Sequence, residues 1–337
     1  VLSAAAVIYG FLIGMINRSP FIVVRETMDW LAPVAFGFHL FVQWRDYPNF
    51  RQNLQRVFIW GVLIMGVYGV IQFMALPDWD RLWLFESNMV TAAGRPDKAG
   101  GMRVWSTMQS GEPFAAFMAA ALLLILTSSS TLSIPASIAG YLTFLLAMVR
   151  SAWIGWFAGM LTLLGSMKVK FQIRLLIMAI VLAISVVPLA TTEPFSEKIT
   201  GRLESLSNVQ QDNSAKGRQS DFQESIVLAL ASGIGQGIGG GTRDSAILST
   251  LFDLGWLGTL LYIGGLVPLI VRLFVMPISH SDPFIGAARA VVVSVLVRIP
   301  VNGTFVGVSG VVLWTFIGLS MAASRYYEQK HRSKLEE

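Results

Sequence analysis

Residues 57–77 read VFIWGVLIMGVYGVIQFMALP, an apolar run bounded by Arg56 and Asp78. A helix needs about 20 predominantly apolar residues to cross the hydrocarbon core of a bilayer. This run reaches that length and contains no charged residue. It therefore predicts a transmembrane helix.

Similar apolar runs, separated by short charged clusters, fill the chain almost end to end. They lie at about residues 1–16, 27–44, 114–128, 133–149, 152–167, 175–190, 254–275, 286–299 and 306–324. Only 13% of the 337 residues are charged, about half of the ~25% that a soluble domain carries. The composition excludes an ordinary soluble enzyme. It predicts an all-α, polytopic transmembrane helical bundle of about ten spans, folded as a single domain over residues 1–337.

The distribution of positive charge predicts an orientation. The chain has 25 Lys and Arg residues against 20 Asp and Glu residues, a net charge of +5, and loops rich in Lys and Arg stay in the cytoplasm. If the spans alternate, the basic clusters fall on one side: Arg45, Arg51, Arg56, Lys168, Lys170, Arg174, Arg272, Arg325, Lys330, Arg332 and Lys334. We expect that side, with both termini, to be cytoplasmic, and these cations do not favour a nucleic-acid partner.

Two long polar stretches then fall on the outside. Residues 78–113 form a first external loop, and residues 191–243 form a large external loop over the expected active cavity. Residues 222–230 are apolar at Phe222, Ile226 and Leu230, which predicts a short amphipathic helix at the membrane interface. Residues 232–241, SGIGQGIGGG, lead into a helix expected to begin near Asp244. No βαβ unit surrounds these glycines, so they do not predict a dinucleotide site.

Arginines on the predicted outer face are the most informative polar residues. They are Arg25, Arg150, Arg243 and Arg298 at the ends of spans, and Arg103, Arg202 and Arg218 in the loops. A cation near hydrocarbon normally pairs with an acid or lines a functional cavity. Snorkelling or a local salt bridge is the alternative for any one of them. As a set they offer the planar, bidentate donors that match phosphate, and they predict a site for a phosphorylated ligand presented from the membrane.

Acidic residues on the same face are candidate general bases. They are Asp244, Glu224, Glu112 and Glu26, any of which could deprotonate a hydroxyl if a partner positioned it. Asp244 or Ser245 could equally serve as a helix cap. The chain has no cysteine and only three scattered histidines, so we expect no metal site and no cofactor.

Four segments between about residues 100 and 260 resemble the O-antigen ligase and Wzy-type polysaccharide polymerase superfamily of bacterial inner-membrane glycosyltransferases. Residues 145–155, LLAMVRSAWIG, resemble its SR-G-A-W-L-G junction, and residues 101–107, GMRVWST, resemble its R-x-x-S-T element. Residues 199–218, with Arg202 and Arg218, and glycines 237–239 resemble its large external loop. Residues 248–258, LSTLFDLGWLG, resemble the L-x-x-L-x-E-x-G-x-x-G stretch that follows.

The resemblance implies a metal-independent, inverting transfer of a sugar chain from an undecaprenyl-diphosphate donor to an acceptor glycan hydroxyl on the periplasmic face. The implied contacts to the lipid diphosphate are Arg150, Arg202, Arg218 and Arg243, with Arg103 and Arg298 as weaker members. Asp244, Glu224 and Arg243 are the candidate catalytic residues. Ligases of this superfamily carry a His-Asn pair where this chain has Asp244 and Ser245, which favours polymerisation of O-antigen or exopolysaccharide repeats over ligation.

The expected partners are an undecaprenyl-diphosphate-linked oligosaccharide, an acceptor glycan, membrane lipids, and polysaccharide export or chain-length proteins. The alternatives are an O-antigen ligase that transfers glycan to a lipid or protein acceptor, a small-anion transporter of the bicarbonate kind, and a scaffold in an export complex. A transporter should show broken helices or buried ionisable groups near the middle of the membrane.

Overall fold

The computed structural model describes residues 1–87, 102–108, 110–166, 172–173, 226–227, 229–230, 233–240, 245–276 and 282–336. In these ranges the chain consists of helices joined by turns, without a strand, which confirms the all-α prediction. The chain divides into two compact units, Val1–Arg51 with Gln210–Glu337, and Gln52–Val209.

The helices, in chain order, are α1 (Leu2–Asn17), α2 (Pro20–Val42), a short 3-10 helix (Trp44–Asp46), α3 (Tyr47–Ala75), α4 (Asp78–Glu86), α5 (Gly111–Ile125), α6 (Ser133–Leu146), α7 (Arg150–Ser166), α8 (Ala246–Val275), α9 (Pro283–Leu296) and α10 (Gly307–Glu336).

Three described segments are long and apolar enough to cross a membrane: Trp44–Ala75, Ala246–Val275 and Gly307–Ser333. They include the predicted spans at 57–77, 254–275 and 306–324 almost completely. Four further helices are apolar but shorter: Leu2–Asn17, Gly111–Ile125, Ser133–Leu146 and Pro283–Leu296. The predicted span at 175–190 lies outside the described residues. The amphipathic helix predicted at 222–230 is described at 226–227 and 229–230, which are helical.

Several helix boundaries differ from those predicted, and one helix was not predicted. Helix α2 begins at Pro20 rather than near residue 27, because proline suits the first turn of a helix, where its missing N–H is not needed. Arg25 therefore lies within α2, 3.7 Å from Glu26, with its side chain 70% exposed. The stretch predicted as the first external loop begins with a helix, α4, whose charged residues lower its hydropathy, so no apolar run in the sequence indicated it.

In the first unit, α1 packs on α8 and α2 packs on α10. Glycine allows close approach of the helices: a Cβ atom on Gly318 would lie 2.3 Å from the Gly37 carbonyl oxygen. Small residues at such contacts are typical of membrane helices, where packing rather than water exclusion drives association.

A buried carboxylate joins three helices in the same unit. Asp282, 1% exposed, accepts hydrogen bonds from the Tyr47 hydroxyl at 2.7 Å, the Tyr327 hydroxyl at 2.9 Å and Arg51 Nη1 at 3.1 Å. It also caps α9 by accepting from the Phe284 amide at 3.0 Å. These contacts fix the start of α9 against α3 and α10.

In the second unit, α5 packs against both α6 and α7. Its side chains from Phe114 to Ile125 are almost all buried. Helix α3 approaches α6 closely, since a Cβ atom on Gly66 would lie 2.9 Å from the Ala139 carbonyl carbon. This packing positions the segment 102–108, which lies outside the helices.

Candidate functional site

The segment 102–108, which carries Arg103, is fixed to α3 by a buried glutamine. Gln72 is 0% exposed, and its Oε1 accepts hydrogen bonds from the backbone amides of Trp105 at 3.0 Å and Ser106 at 2.8 Å. The Ser106 hydroxyl donates to the Met65 carbonyl at 2.7 Å. Because no helix or sheet supplies partners for these amides, the glutamine side chain replaces them.

The same segment is also bonded to the end of α6. The Val104 amide donates to the carbonyl of Leu146, the last residue of α6, at 3.1 Å. Gly111, the first residue of α5, lies against both sides of this contact: a Cβ atom there would be 3.5 Å from the Val104 oxygen and 3.6 Å from the Ala147 oxygen. The segment 102–108, the start of α5 and the turn between α6 and α7 therefore meet at one place.

We call this place the arginine corner, defined by residues 102–108, 110–112 and 146–150. It contains Arg103 and Arg150, the first residue of α7, both half-buried. Helices α5 and α7 both begin here, at Gly111 and Arg150. The N-terminus of a helix carries a partial positive charge. Glu112 lies in the first turn of α5. Apart from the Glu112 carboxylate, the corner gathers groups that favour an anion.

The backbone is strained beside this corner. Among the described residues, the non-glycine positions with positive φ are Leu76 at 41°, Ser106 at 53° and Met148 at 55°. Leu76 packs with Trp105, Met102 and Leu84 in one buried cluster. Met148 is separated from Arg150 by the single residue Val149. Such conformations are unfavourable by about 1–3 kcal/mol each and gather at functional sites.

A cavity of about 280 Å³ adjoins the segment 102–108. Its wall includes Tyr68 of α3, Asp80 and Trp83 of α4, and Trp105 and Ser106 of the segment. Asp80 is 6% exposed, and its Oδ2 accepts a hydrogen bond from the Tyr68 hydroxyl at 2.8 Å. We refer to this space as the Asp80 cavity.

The glycine-rich segment 233–240 forms a second feature, in the other unit. Its backbone is bonded to two helices: the Ile238 amide donates to the Gly10 carbonyl of α1 at 3.0 Å, and the Gln236 amide donates to the Phe252 carbonyl of α8 at 2.7 Å. Gly235, Gly237 and Gly239 have φ values of 83°, 82° and 117°. Glycine adopts these values readily, and other residues rarely do.

Close backbone contact explains why glycines are needed there. A Cβ atom on Gly237 would lie 2.1 Å from the Gly14 nitrogen, and one on Gly14 would lie 2.3 Å from the Ile238 oxygen. Helix α8 is interrupted at Gly255, with φ 62° and ψ −170°, where a Cβ atom would lie 2.3 Å from the Ile234 carbonyl carbon. Helix α8 is therefore discontinuous where the segment lies against it.

Polar side chains accompany this segment. Arg18, just after α1, donates from Nη2 to Gln236 Oε1 at 2.9 Å. The Cβ position of Gly240 is 3.7 Å from both Arg18 Nη2 and Asp253 Oδ1, and Asp253 is 7% exposed. Sequence reasoning missed Arg18, although the signal was present: it directly follows the first apolar run on the predicted outer side.

No protein-family model, curated protein or solved structure matches this chain.

The predicted site residues are distributed over both units and the undescribed stretches. Arg103 and Arg150 both belong to the arginine corner as defined above. Asp244, Glu224, Arg243, Arg202 and Arg218 lie outside the described residues.

Arg298 lies in the first unit, in the turn after α9, and is 1% exposed. The carbonyls of Ile299 and Asn302 in this turn accept from the Ala246 amide at 3.0 and 2.9 Å, so the turn packs on the first residue of α8. Within the described ranges, no three His, Asp or Glu side chains group as a metal ion would require.

Proposed function

We propose that the protein is a polysaccharide polymerase of the bacterial inner membrane. It transfers oligosaccharide repeat units from an undecaprenyl-diphosphate donor to a hydroxyl of an acceptor glycan on the periplasmic face, with both termini in the cytoplasm. The observation that carries the proposal is the arginine corner, in which the Val104–Leu146 hydrogen bond brings the segment of Arg103 to the turn that precedes Arg150.

The electrostatics of the corner suit a lipid diphosphate. Two guanidinium groups can bind phosphate oxygens in a bidentate manner, and the N-termini of α5 and α7 add partial positive charge. The corner lies at the ends of apolar helices, where the headgroup of a membrane lipid would be. Negative charge grows on the diphosphate as it leaves, and fixed donors aimed at that charge accelerate such a step.

The reaction itself is an inverting displacement. The acceptor hydroxyl attacks the anomeric carbon, a carboxylate takes the hydroxyl proton, and undecaprenyl diphosphate leaves with the bonding electrons. Asp244 and Glu224 remain the proposed bases, and Arg243 the proposed stabiliser of the leaving group. Arg202, Arg218 and Arg298 remain proposed contacts to the donor.

The test replaces the two described arginines in cells that lack the native copy of the protein. For Arg103→Ala and Arg150→Ala we expect the long polysaccharide chains to disappear, because loss of one charge-stabilising donor slows such reactions by about 100-fold or more. The control is Arg56→Ala, an exposed arginine of α3 on the predicted cytoplasmic side. Chain length is read on gels, with membrane levels of each variant matched by immunoblot.

Normal long chains in both variants, together with unchanged binding of undecaprenyl diphosphate, would refute the proposal. The same experiment separates polymerase from ligase. A ligase attaches preassembled chains, so its loss leaves long chains on the lipid donor, whereas loss of a polymerase leaves single repeat units.

Transport of a small anion is a second candidate, and the discontinuous helix α8 favours it. Broken helices lined by backbone groups form the binding sites of many transporters, and the segment 233–240 lies against the break with Arg18 bonded to Gln236 at 2.9 Å. Proteoliposomes loaded with a pH indicator would show saturable bicarbonate uptake that Arg18→Ala abolishes. Absence of uptake in liposomes whose protein still binds undecaprenyl diphosphate would exclude this candidate.

A further inference from the structure

We propose that the Asp80 cavity is a binding subsite for a neutral sugar ring of the glycan. The inference rests on the proposed function and assigns it a second binding place, formed by Asp80, Tyr68, Trp83 and Trp105. The segment 102–108 connects the two places, because it carries Arg103 into the arginine corner and Trp105 and Ser106 into the wall of the cavity.

The cavity is a depression that opens widely to the surface, and its volume suits a small ligand. Its volume of about 280 Å³ is just below the ~300–1,000 Å³ of common small-molecule sites. A single sugar ring suits this space, whereas a lipid tail would need a long groove. The cavity lies at the end of α3 from which α4 begins, on the predicted outer side of the membrane.

Aromatic and acidic side chains both line the cavity. Such a wall can bind the C–H bonds of a sugar ring as well as its hydroxyl groups. The C–H bonds of a sugar ring carry partial positive charge and are attracted to the electron-rich face of an indole. Trp83, 40% exposed, and Trp105, 3% exposed, both line the cavity. The ring hydroxyls can then turn towards Asp80.

Asp80 is held in an orientation suited to this task. Its Oδ2 accepts from the Tyr68 hydroxyl at 2.8 Å, and the Tyr68 oxygen in turn accepts from Trp79 Nε1 at 2.5 Å. A carboxylate can accept about four hydrogen bonds, so this contact leaves capacity for sugar hydroxyls. Its negative charge favours neutral sugars and repels uronic acids.

Hydrogen bonds hold Trp105 and Ser106, two residues of the wall, in place without a ligand. Ser106 keeps its positive φ of 53° because Gln72 and the Met65 carbonyl bind its amide and hydroxyl at 2.8 and 2.7 Å. Trp105 is bound at its amide by the same glutamine. A site already ordered loses less entropy on binding.

The test measures binding of free oligosaccharides to the full chain in nanodiscs without any lipid donor. The probes are trisaccharides of glucose, galactose and N-acetylglucosamine, with a trisaccharide of glucuronic acid as the charged counterpart. We expect saturation-transfer NMR signals from at least one neutral probe and none from the charged probe. Asp80→Asn should weaken binding by about 10-fold, the effect of removing one charged hydrogen-bond acceptor, and Trp83→Ala should abolish it.

Matched controls are available on the same helices. Asp78→Asn changes an exposed carboxylate two residues away in α4, and Trp60→Ala removes an indole of α3 that is 47% exposed and lies outside the cavity wall. Both should bind the neutral probe as the parent chain does. Asp80→Asn keeps an oxygen that can accept from Tyr68, and Trp83→Ala tests the cavity independently if the first variant does not fold.

Absence of binding to every neutral probe, or equal binding by Trp83→Ala and Trp60→Ala, would overturn the subsite. Because the probes carry no diphosphate, the outcome is separate from that of the polymerase. Sugar binding, together with normal long chains and unchanged binding of undecaprenyl diphosphate in both arginine variants, would retain the subsite and refute the polymerase. Absence of sugar binding, together with loss of long chains in the arginine variants, would refute the subsite and retain the polymerase.

Discussion

Gln72 is the residue on which the segment of Arg103 most depends. Its side chain is the acceptor for two backbone amides in a buried place, at 3.0 and 2.8 Å. An unsatisfied buried donor destabilises a protein by about 1–3 kcal/mol. We therefore expect Gln72→Leu, which keeps the volume but removes the acceptor, to lower the melting temperature and to free the segment.

The measurement is thermal unfolding in detergent, with hydrogen exchange of residues 102–108 read by mass spectrometry. Gln52→Leu, at an exposed position of α3, serves as the control. Equal melting temperatures and equal exchange in the two variants would show that the glutamine does not hold the segment.

Asp282 should be the costliest single carboxylate to remove from the first unit. It accepts from Tyr47, Tyr327 and Arg51 and is 1% exposed. Loss of one partner of a buried ion pair lowers the free energy of unfolding by about 3–5 kcal/mol. Because the Arg51 side chain is 33% exposed, we expect the loss for Asp282→Ala to lie near the lower of these values. Thermal unfolding against Asp46→Ala, an exposed control, measures the difference. A melting temperature equal to that of the control would contradict the account.

Among single residues, the sequence selected part of the candidate site. Arg103 and Arg150 could be selected because a cation near hydrocarbon is unfavourable and because their surroundings resemble motifs of the superfamily described under Sequence analysis. Asp80 could not be, since an acid in a polar loop is common, and Arg18 was missed although it directly follows the first apolar run. Only the tertiary contacts, Tyr68 on Asp80 and Gln236 on Arg18, distinguish them.

Among the elements, the glycine-rich segment makes the sharpest prediction. Gly237→Ala adds a Cβ atom 2.1 Å from the Gly14 nitrogen at a φ of 82°, so the segment must move off α1. Gly233→Ala adds one where no atom lies within 4 Å. We expect the Ile238 amide, bonded to Gly10 at 3.0 Å, to exchange hydrogen much faster in the first variant only. Unchanged exchange in Gly237→Ala would mean that the segment does not lie on α1.

A comparison of the apolar runs with the helices shows which elements hydropathy can predict. The run at 57–77 predicted most of α3, and the runs at 114–128 and 152–167 predicted α5 and α7 within a few residues. Hydropathy could not place α4, whose charges resemble those of a loop. It could not show the break at Gly255 either, because that φ is set by the backbone of Ile234, which is distant in sequence.

For the whole molecule, the predicted orientation can be tested by labelling, because the native chain has no cysteine. We expect Thr107→Cys to react with a membrane-impermeant maleimide in intact spheroplasts. Ser129→Cys and Ser333→Cys should react only after the membrane is opened, since they lie in the turn after α5 and near the end of α10 on the predicted cytoplasmic side. All three positions are exposed, so access reports sidedness. Labelling of Ser333→Cys in intact spheroplasts would invert the predicted topology.

The central claim is that a lipid diphosphate binds between Arg103 and Arg150. A cryo-electron microscopy map of the chain in nanodiscs containing undecaprenyl diphosphate tests it most directly. The account predicts density for the diphosphate within hydrogen-bonding reach of both guanidinium groups, at the N-termini of α5 and α7. Diphosphate density elsewhere, with the arginine corner closed to lipid, would contradict it.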